Sequence, residues 1–447
     1  MSLNLRTQDK FFPYKIKNVN GTNYLYNILT NAVFEMDSDG EKVFVQNKDI
    51  EAYPELKKFC EHNYILRTED NIRFIEQVYK KSVEQKHSGK IKGMTLMVSQ
   101  RCNLRCRYCY GDEGEYQNQG EMDLETAIKA LKTLLKETDK KDVFICFFGG
   151  EPLMNYKLIR DFISYVEDNS NFDRNIHYSM TTNLTLLNSE IRDYIKAKSI
   201  KLTVSLDGDK KSNDSNRCYK DGTGIYDKVV KNINELGKQV LVRSTICPQN
   251  LDINQSVRHL TETLEFPRVA WAEADNLLSD EDYKVITDSY IALIDYIDEL
   301  IKACKYNEVK KYHMFCNTLM KFSKDGIRVK GCGAGNNMFT VDIDGRLYPC
   351  HRFVGLKDFV IGDVNKQEYD NDKEFLIGWD LANFSECLTC IARNSCGGGC
   401  VNQNYYSTGS IKKHSEANCN YIRTIHERIL ESYISLNDEA KKALISE

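Results

Sequence analysis

Between residues 93 and 275 a short apolar run followed by an amphipathic stretch recurs six times, and this rhythm restricts the fold more than any other feature. The runs are Met94–Ser99, Val143–Phe148, Ile176–Thr182, Leu202–Leu206, Val240–Ile246 and Val269–Ala272. They are rich in Val, Ile, Phe and Thr, as strands buried on both faces are. The stretches between them carry helix signals: one begins after Asp123, a good N-cap, and another ends at Gly237, where a C-cap glycine belongs. Strands alternating with helices form a parallel sheet through right-handed crossovers. Six units fall short of a closed eight-stranded barrel. The expected core is therefore an α/β partial (β/α)6 barrel, with function at the C-terminal ends of its strands.

The flanks read differently. Asn23–Thr30 and Ala32–Asp37 form an expected β-hairpin about Thr30-Asn31, followed by helices near Pro54–His62 and Asn71–Glu84. A small sheet with helices fits a winged-helix-like α+β domain, and a simple cap on the barrel is the alternative. Beyond Ala274 come helices near Asp280–Lys305 and Glu308–Phe322, then a Cys- and Gly-rich stretch from Gly331 to Cys419. That stretch has few long apolar runs, so metal cross-links are expected where a core would otherwise serve. Residues 420–447 read as an amphipathic helix. The expected division is 1–88, 89–306 for the barrel, and 307–447 for the cysteine-rich domain.

A net charge of −4 gives no basic footprint for nucleic acid. No stretch approaches the length of a membrane span, and the N-terminus lacks the apolar core of a signal peptide, so a cytoplasmic protein without a membrane partner is expected. In that reducing compartment the 16 cysteines read as metal ligands rather than disulfides. Cys60, Cys146, Cys218, Cys247, Cys304 and Cys316 fall outside the spaced groups and read as small buried hydrophobes.

Chemistry enters with Cys102, Cys106 and Cys109, just after the first strand. Thiolates at this spacing can hold three irons of a [4Fe–4S] cube and leave the fourth open for chemistry. Gly149-Gly150-Glu151-Pro152 follows the second strand. Glycines admit the backbone close to a ligand, and Glu151 can accept from an ammonium; alone, this tetrapeptide would be a plain strand-to-helix turn. A second group comprises Cys332 and Cys350, then Cys387, Cys390, Cys396, Cys400 and Cys419. Paired knuckles also suit zinc, but seven cysteines do not divide into four-ligand zinc sites.

With Thr181-Thr182-Asn183 after the third strand and Ser205-Leu206-Asp207-Gly208 after the fourth, the triplet and Gly149–Pro152 resemble the motifs of radical S-adenosylmethionine (radical SAM) enzymes, in that family's order. The resemblance implies that SAM chelates the open iron and is reductively cleaved to a 5′-deoxyadenosyl radical, which abstracts hydrogen from an unactivated C–H. It implies that Gly149, Gly150 and Glu151 hold the methionine amine, that Asn183 and Ser205 lie near the ribose or carboxylate, and that Tyr108 lies beside the adenine. Arg217 pairs with the carboxylate or is a surface charge; Asp207 contacts the ligand or caps a turn. The second cysteine group resembles the SPASM extension, which holds two auxiliary [4Fe–4S] clusters, making three in all. By that likeness Cys387, Cys390, Cys396 and Cys419 bind one, and Cys332, Cys350 and Cys400 bind the other, one ligand short. Cys316 or a substrate thiol completes it.

Family members with this extension mostly modify peptides or proteins. The N-terminal module resembles the leader-recognition domain of ribosomal-peptide maturases of the sactipeptide or ranthipeptide type, in which the leader adds a strand to the sheet edge. The implied partners are a precursor peptide with its leader and a low-potential electron donor such as flavodoxin or ferredoxin. The leading expectation is a maturase that installs Cys thioethers. Carbon–carbon cross-linking and sulfatase maturation to formylglycine are the enzymatic alternatives, and an iron–sulfur electron carrier or sensor is the non-enzymatic one.

Overall fold

A computed structural model describes residues 9–84, 91–169, 173–323, 326–369, 381 and 384–445. They fall into two compact units: Met1–Glu84 with Tyr283–Cys332 and Gly378–Glu447, and Gln85–Asp282 with Gly333–Ile377. The expected boundary at residue 88 lies outside the described residues.

The first unit opens with an antiparallel sheet of β1 (Tyr14–Val19), β2 (Thr22–Asn27) and β3 (Val33–Glu35), in that order. Strand β1 is absent from the expected hairpin. Its signal was nevertheless present, since Asn20-Gly21 forms a two-residue loop with φ of 52° and 84°, the left-handed pair that such hairpins favour. Helices α1 (Pro54–His62) and α2 (Glu69–Glu84) follow. Leu25, Phe44, Ile50, Cys60, Ile65 and Leu66 make one apolar cluster behind the sheet.

In the second unit all six expected barrel strands form. They are β4 (Gly93–Gln100), β6 (Asp142–Gly149), β7 (Asn175–Thr182), β8 (Lys201–Ser205), β9 (Leu241–Ile246) and β10 (Val269–Glu273); the two-residue β5 (Gly120–Glu121) pairs antiparallel with the end of β4. The six are parallel and adjacent in chain order. The crossover helices include α3 (Leu124–Lys136), α4 (Tyr156–Asp168), α5 (Ser189–Ala197), α6 (Tyr226–Leu236) and α7 (Ile253–Arg258). On α3, Ala127, Ala130, Leu131 and Leu134 are fully buried, a three-four spacing that lays one stripe on the sheet. Asp123 caps this helix by accepting from the Thr126 amide at 2.7 Å, and Gly237 ends α6 with φ 85°.

The Cys-rich stretch does more than expected. Strand β11 (Met338–Val341) pairs parallel with β4, and β12 (Arg346–Tyr348), β13 (Gly362–Asp363) and β14 (Glu368–Tyr369) extend the sheet antiparallel. Phe339, Val341, Leu347 and Tyr348 are at most 1% exposed, so this part of the stretch buries a core. Its apolar runs are short because an existing sheet edge supplies the other half of the packing.

The first unit is completed by α8 (Asp280–Lys302, most of it in this unit), α9 (His313–Phe322), α10 (Glu416–Ile434) and α11 (Asp438–Leu444). Lys17 on β1 bonds Glu427 at 2.7 Å and Glu431 at 3.0 Å, and Arg428 bonds Asp295 and Asp298 at 2.6 Å each. Among the described residues, no helix is long and apolar enough to cross a membrane.

Replacing Phe339 by Ala removes a fully buried ring from the strand added beside β4. It is expected to cost about 3–5 kcal/mol of unfolding free energy in denaturant titrations, whereas Lys366→Ala, at the surface, should stay within about 0.5 kcal/mol.

Candidate active site

The carboxyl ends of the barrel strands surround a cavity of about 370 Å³. Cys102, Cys106, Tyr108, Cys109, Gly149, Gly150, Asn183, Ser205 and Arg217 line it together. Glu151 is absent from this lining.

Backbone packing places the first cysteine. Gly149 has φ 156°, and a Cβ there would stand 2.1 Å from the Ser99 carbonyl oxygen; one on Gly150 would stand 2.3 Å from that of Arg101. No other residue fits such contacts. The Gly150 and Glu151 amides donate to those same carbonyls at 2.8 and 2.9 Å. The end of β6 thus clamps the backbone entering the Cys102 loop.

The Glu151 side chain, 0% exposed, accepts from the Thr182 hydroxyl at 2.6 Å and from the Asn183 and Leu153 amides at 2.8 and 3.1 Å. Burial lifts its carboxyl to about 7 against the opposing pull of those bonds. Glu151 therefore ties the second βα loop to the third. Asn183 donates to Asn103 at 3.0 Å and faces the Cys102 sulfur at 3.9 Å.

The thiols meet backbone and cationic donors. The Leu104 amide reaches the Cys102 sulfur at 3.4 Å, the Gly111, Glu113 and Gly114 amides face Cys109, and an Arg217 N–H faces Cys106 at 3.9 Å. These donors favour thiolate, but burial outweighs them, pushing Cys102 to about 12 and Cys106 to about 11 and raising Cys109. The three thiols also oppose one another's ionisation. Three buried thiolates can coexist here only beside a cationic centre, and binding one releases their protons. Among the described residues, no three His, Cys, Asp or Glu side chains converge as ligands of a single ion. A [4Fe–4S] cube takes one thiolate per iron and fits this donor set.

Asp207 and Arg217 are buried together, at 0% and 6% exposure. Arg217 bonds both Asp207 oxygens at 2.9 and 3.2 Å, the Thr245 amide donates to Asp207 at 2.8 Å, and the Tyr108 hydroxyl donates to the same carboxylate. The guanidinium lies 5.1 Å from the Tyr108 ring centre. Arg217 is thus no surface charge. Asp207 fixes both residues against Cys106.

In the first unit, Cys387, Cys390, Cys396 and Cys419 form a quartet. Burial raises Cys387, with added repulsion from the other three, and lifts Cys419 to about 11. The Gly398 and Gly399 amides face the Cys396 sulfur. Cys332 and Cys400 also belong to this unit and Cys350 to the other, so the remaining set is divided between them. The Cys316 thiol is buried and donates to the Val309 carbonyl at 3.3 Å. Of the other ungrouped cysteines, Cys60 and Cys247 are buried as expected, Cys146 and Cys218 are half-buried, and Cys304 is exposed.

Arg243, His351 and Arg352 also line the cavity, and sequence reasoning passed over them. Arg243 is a charge inside an apolar strand, a signal of an inward polar position that went unread. His351 packs 4.5 Å from the Phe148 ring, and burial, with Arg352 and Arg243 adding, pushes its imidazole down to about 3, leaving it neutral. Its sequence signal was masked by Cys350, next to which it stands.

The family model of the radical SAM superfamily matches residues 96–257. An uncharacterized protein of Methanocaldococcus jannaschii is 30% identical over 277 residues, spanning 62% of this chain and 89% of that one. A cysteine-type anaerobic sulfatase-maturating enzyme of Clostridium novyi is 24% identical, over 69% of this chain and 88% of its own. The radical SAM cyclopropyl synthase TigE of Paramaledivibacter caminithermalis is also 24% identical, over 91% of this chain and 88% of its own. Among solved structures, native anSMEcpe with bound AdoMet and Cp18Cys peptide shares the fold over 77% of this chain and 98% of its own, with a TM-score of 0.64 at 20% identity.

Two outcomes follow from the buried charges. Asp207→Asn strands the Arg217 guanidinium and should cost about 3–5 kcal/mol, much of it recovered in the double variant Asp207→Asn/Arg217→Met, as unfolding titrations would read. Glu151 has a folded pKa of about 7 against an ordinary carboxyl value of 4.5, so ionisation opposes folding. Its contribution is full below the lower value and is lost as pH rises through the upper. Relative to Glu151→Gln, the wild type should therefore lose about 3 kcal/mol between these pH values.

Proposed function

The chain belongs to the radical SAM superfamily, and from that premise we propose that it is a maturase of a ribosomally made precursor peptide, joining a cysteine sulfur to a carbon of that peptide. The observation that carries this reading is the open edge of the N-terminal sheet. Among the described residues β3 pairs only with β2, and a pocket of about 400 Å³ lined by Ala32, His62, Tyr64, Phe74 and Val78 adjoins it. An extended leader can add a strand there and seat an apolar side chain in the pocket. Leader binding raises the local concentration of the core peptide at the cavity.

Within the cavity, Cys102, Cys106 and Cys109 would hold a [4Fe–4S] cluster, which with SAM bound would supply a 5′-deoxyadenosyl radical. Gly149 and Gly150 present backbone groups to the SAM amine, with Glu151 bracing them from behind. Asn183 and Ser205 face its ribose or carboxylate, and Tyr108 borders its adenine. Arg217 is held by Asp207, so it acts on the Cys106 side of the cluster more than on a free carboxylate.

Closing S–H and C–H to S–C would release one hydrogen atom, which the radical would take, one proton, which would pass to solvent, and one electron. The two further clusters that the seven C-terminal cysteines would hold, three in all, would accept that electron, and a flavodoxin- or ferredoxin-like donor would feed the first. A cytoplasmic setting suits a chain whose 16 cysteines read as metal ligands or small buried hydrophobes rather than as disulfides. Likeness to the Clostridium novyi enzyme favours a second reading, oxidation of a protein cysteine to formylglycine. Likeness to the cyclopropyl synthase favours a third, closure between carbons.

Incubation with SAM, a strong reductant and a Cys-containing precursor distinguishes them. The account expects a product lacking two hydrogens whose cysteine no longer alkylates. Loss of two hydrogens with the thiol intact would instead mean carbon–carbon closure, and loss of sulfur would mean formylglycine. Replacing Cys102, Cys106 and Cys109 by Ala should remove about four of about twelve irons and abolish SAM cleavage. Continued formation of 5′-deoxyadenosine by that variant would refute the assignment of the first cluster.

A further inference from the structure

Arg328 stands at a junction of the first unit. Its side chain donates to the Lys330 carbonyl at 2.7 Å, to Asn394 at 3.2 Å, to Ser395 at 2.8 Å and to Gly331. Two of these carbonyls belong to the residues immediately before Cys332 and Cys396. The fit is close: a Cβ on Gly397 would stand 2.9 Å from the Arg328 Nε and 2.5 Å from the Gly331 Cα. The Asn394 side chain accepts from the Arg328 amide at 3.1 Å, and Lys321 donates to the Ser395 carbonyl at 3.3 Å.

Both cations bond only to backbone carbonyls, and among the described residues neither has a carboxylate partner. Burial pulls both pKa values down. The charges that push them back up are Cys396 for Lys321, and Cys396 with Cys332 for Arg328. Both side chains are half-buried, and desolvation disfavours a cation that lacks a counter-charge. Here the available counter-charge is cysteine sulfur.

We propose that Arg328, assisted by Lys321, is a positioning residue shared by the two C-terminal cysteine sets: it aligns the segments bearing Cys332 and Cys396, and its charge raises the reduction potential of the clusters they hold. This rests on the reading of these cysteines as cluster ligands. A fixed cation beside a cluster favours the reduced state, which carries one more negative charge. Hydrogen bonds and net charge around the sulfurs set cluster potentials.

The test is a potentiometric titration of the reconstituted full-length protein, following by electron paramagnetic resonance the signals that do not respond to SAM. In Arg328→Gln the ratio of reduced to oxidised cluster at a fixed potential should fall about tenfold, equivalent to about 59 mV for one electron. Lys321→Met should move it in the same direction by less. Arg328→Lys should keep most of the potential, because it keeps the charge while losing the fork. If Arg328→Gln fails to retain its iron, Lys321→Met decides. Full iron content with unmoved potentials in Lys321→Met, and in Arg328→Gln where it holds its clusters, would overturn the inference alone, as would an Arg328→Lys potential that falls as far as that of Arg328→Gln. A wild type that takes up only about four irons would overturn the reading of the C-terminal cysteines as well.

Discussion

Two glycines at the end of β6 press against the backbone that leads into the first cysteine loop, at distances no side chain tolerates. Much of the barrel site is organised around that contact. It fixes where Cys102 begins its loop. It brings Glu151 to the back of the wall, where one carboxylate ties β6 to the end of β7. It also leaves the cavity side of Gly149 and Gly150 as bare backbone. A Gly-Gly pair after a strand therefore serves packing first and ligand approach second, and the two uses call for the same residue.

Electrostatics then decides what the cavity can hold. Buried thiols with raised pKa values are poor ligands until a cationic centre takes their protons' place. The amides facing Cys102 and Cys109, and the guanidinium facing Cys106, are fixed before any cluster arrives. The Asp207 carboxylate keeps that guanidinium from wandering, and in exchange is neutralised in a site where a lone carboxylate would be expensive. In the first unit the same logic runs with backbone amides at Cys396 and with two cations, Lys321 and Arg328, that have no carboxylate partner among the described residues.

The sequence announced the barrel because strands buried on both faces read as uninterrupted apolar runs, and each was followed by a capped helix. Cysteine spacing marked the site for a similar reason: ligand geometry is local. What escaped was non-local. Strands β11 to β14 are too short to declare themselves and become strands by joining an existing edge. Strand β1 is signalled by Asn20-Gly21, but its own run Tyr14–Val19 is half Lys and Asn and reads only weakly as a strand. The partnership of Arg217 with Asp207 spans ten residues in sequence, yet nothing in the motif says which anion the guanidinium prefers. His351 and Arg243 reach the cavity only because the sheet curves, and curvature is not written in any single strand.

The central claim is that hydrogen leaves a carbon of a peptide held in the barrel cavity. Its most direct measurement is isotope transfer: a precursor peptide deuterated at the carbons of its core is turned over, and the 5′-deoxyadenosine is analysed by mass spectrometry. The account predicts deuterium in the deoxyadenosine in proportion to peptide modified. Modified peptide accompanied by deoxyadenosine free of deuterium would contradict it.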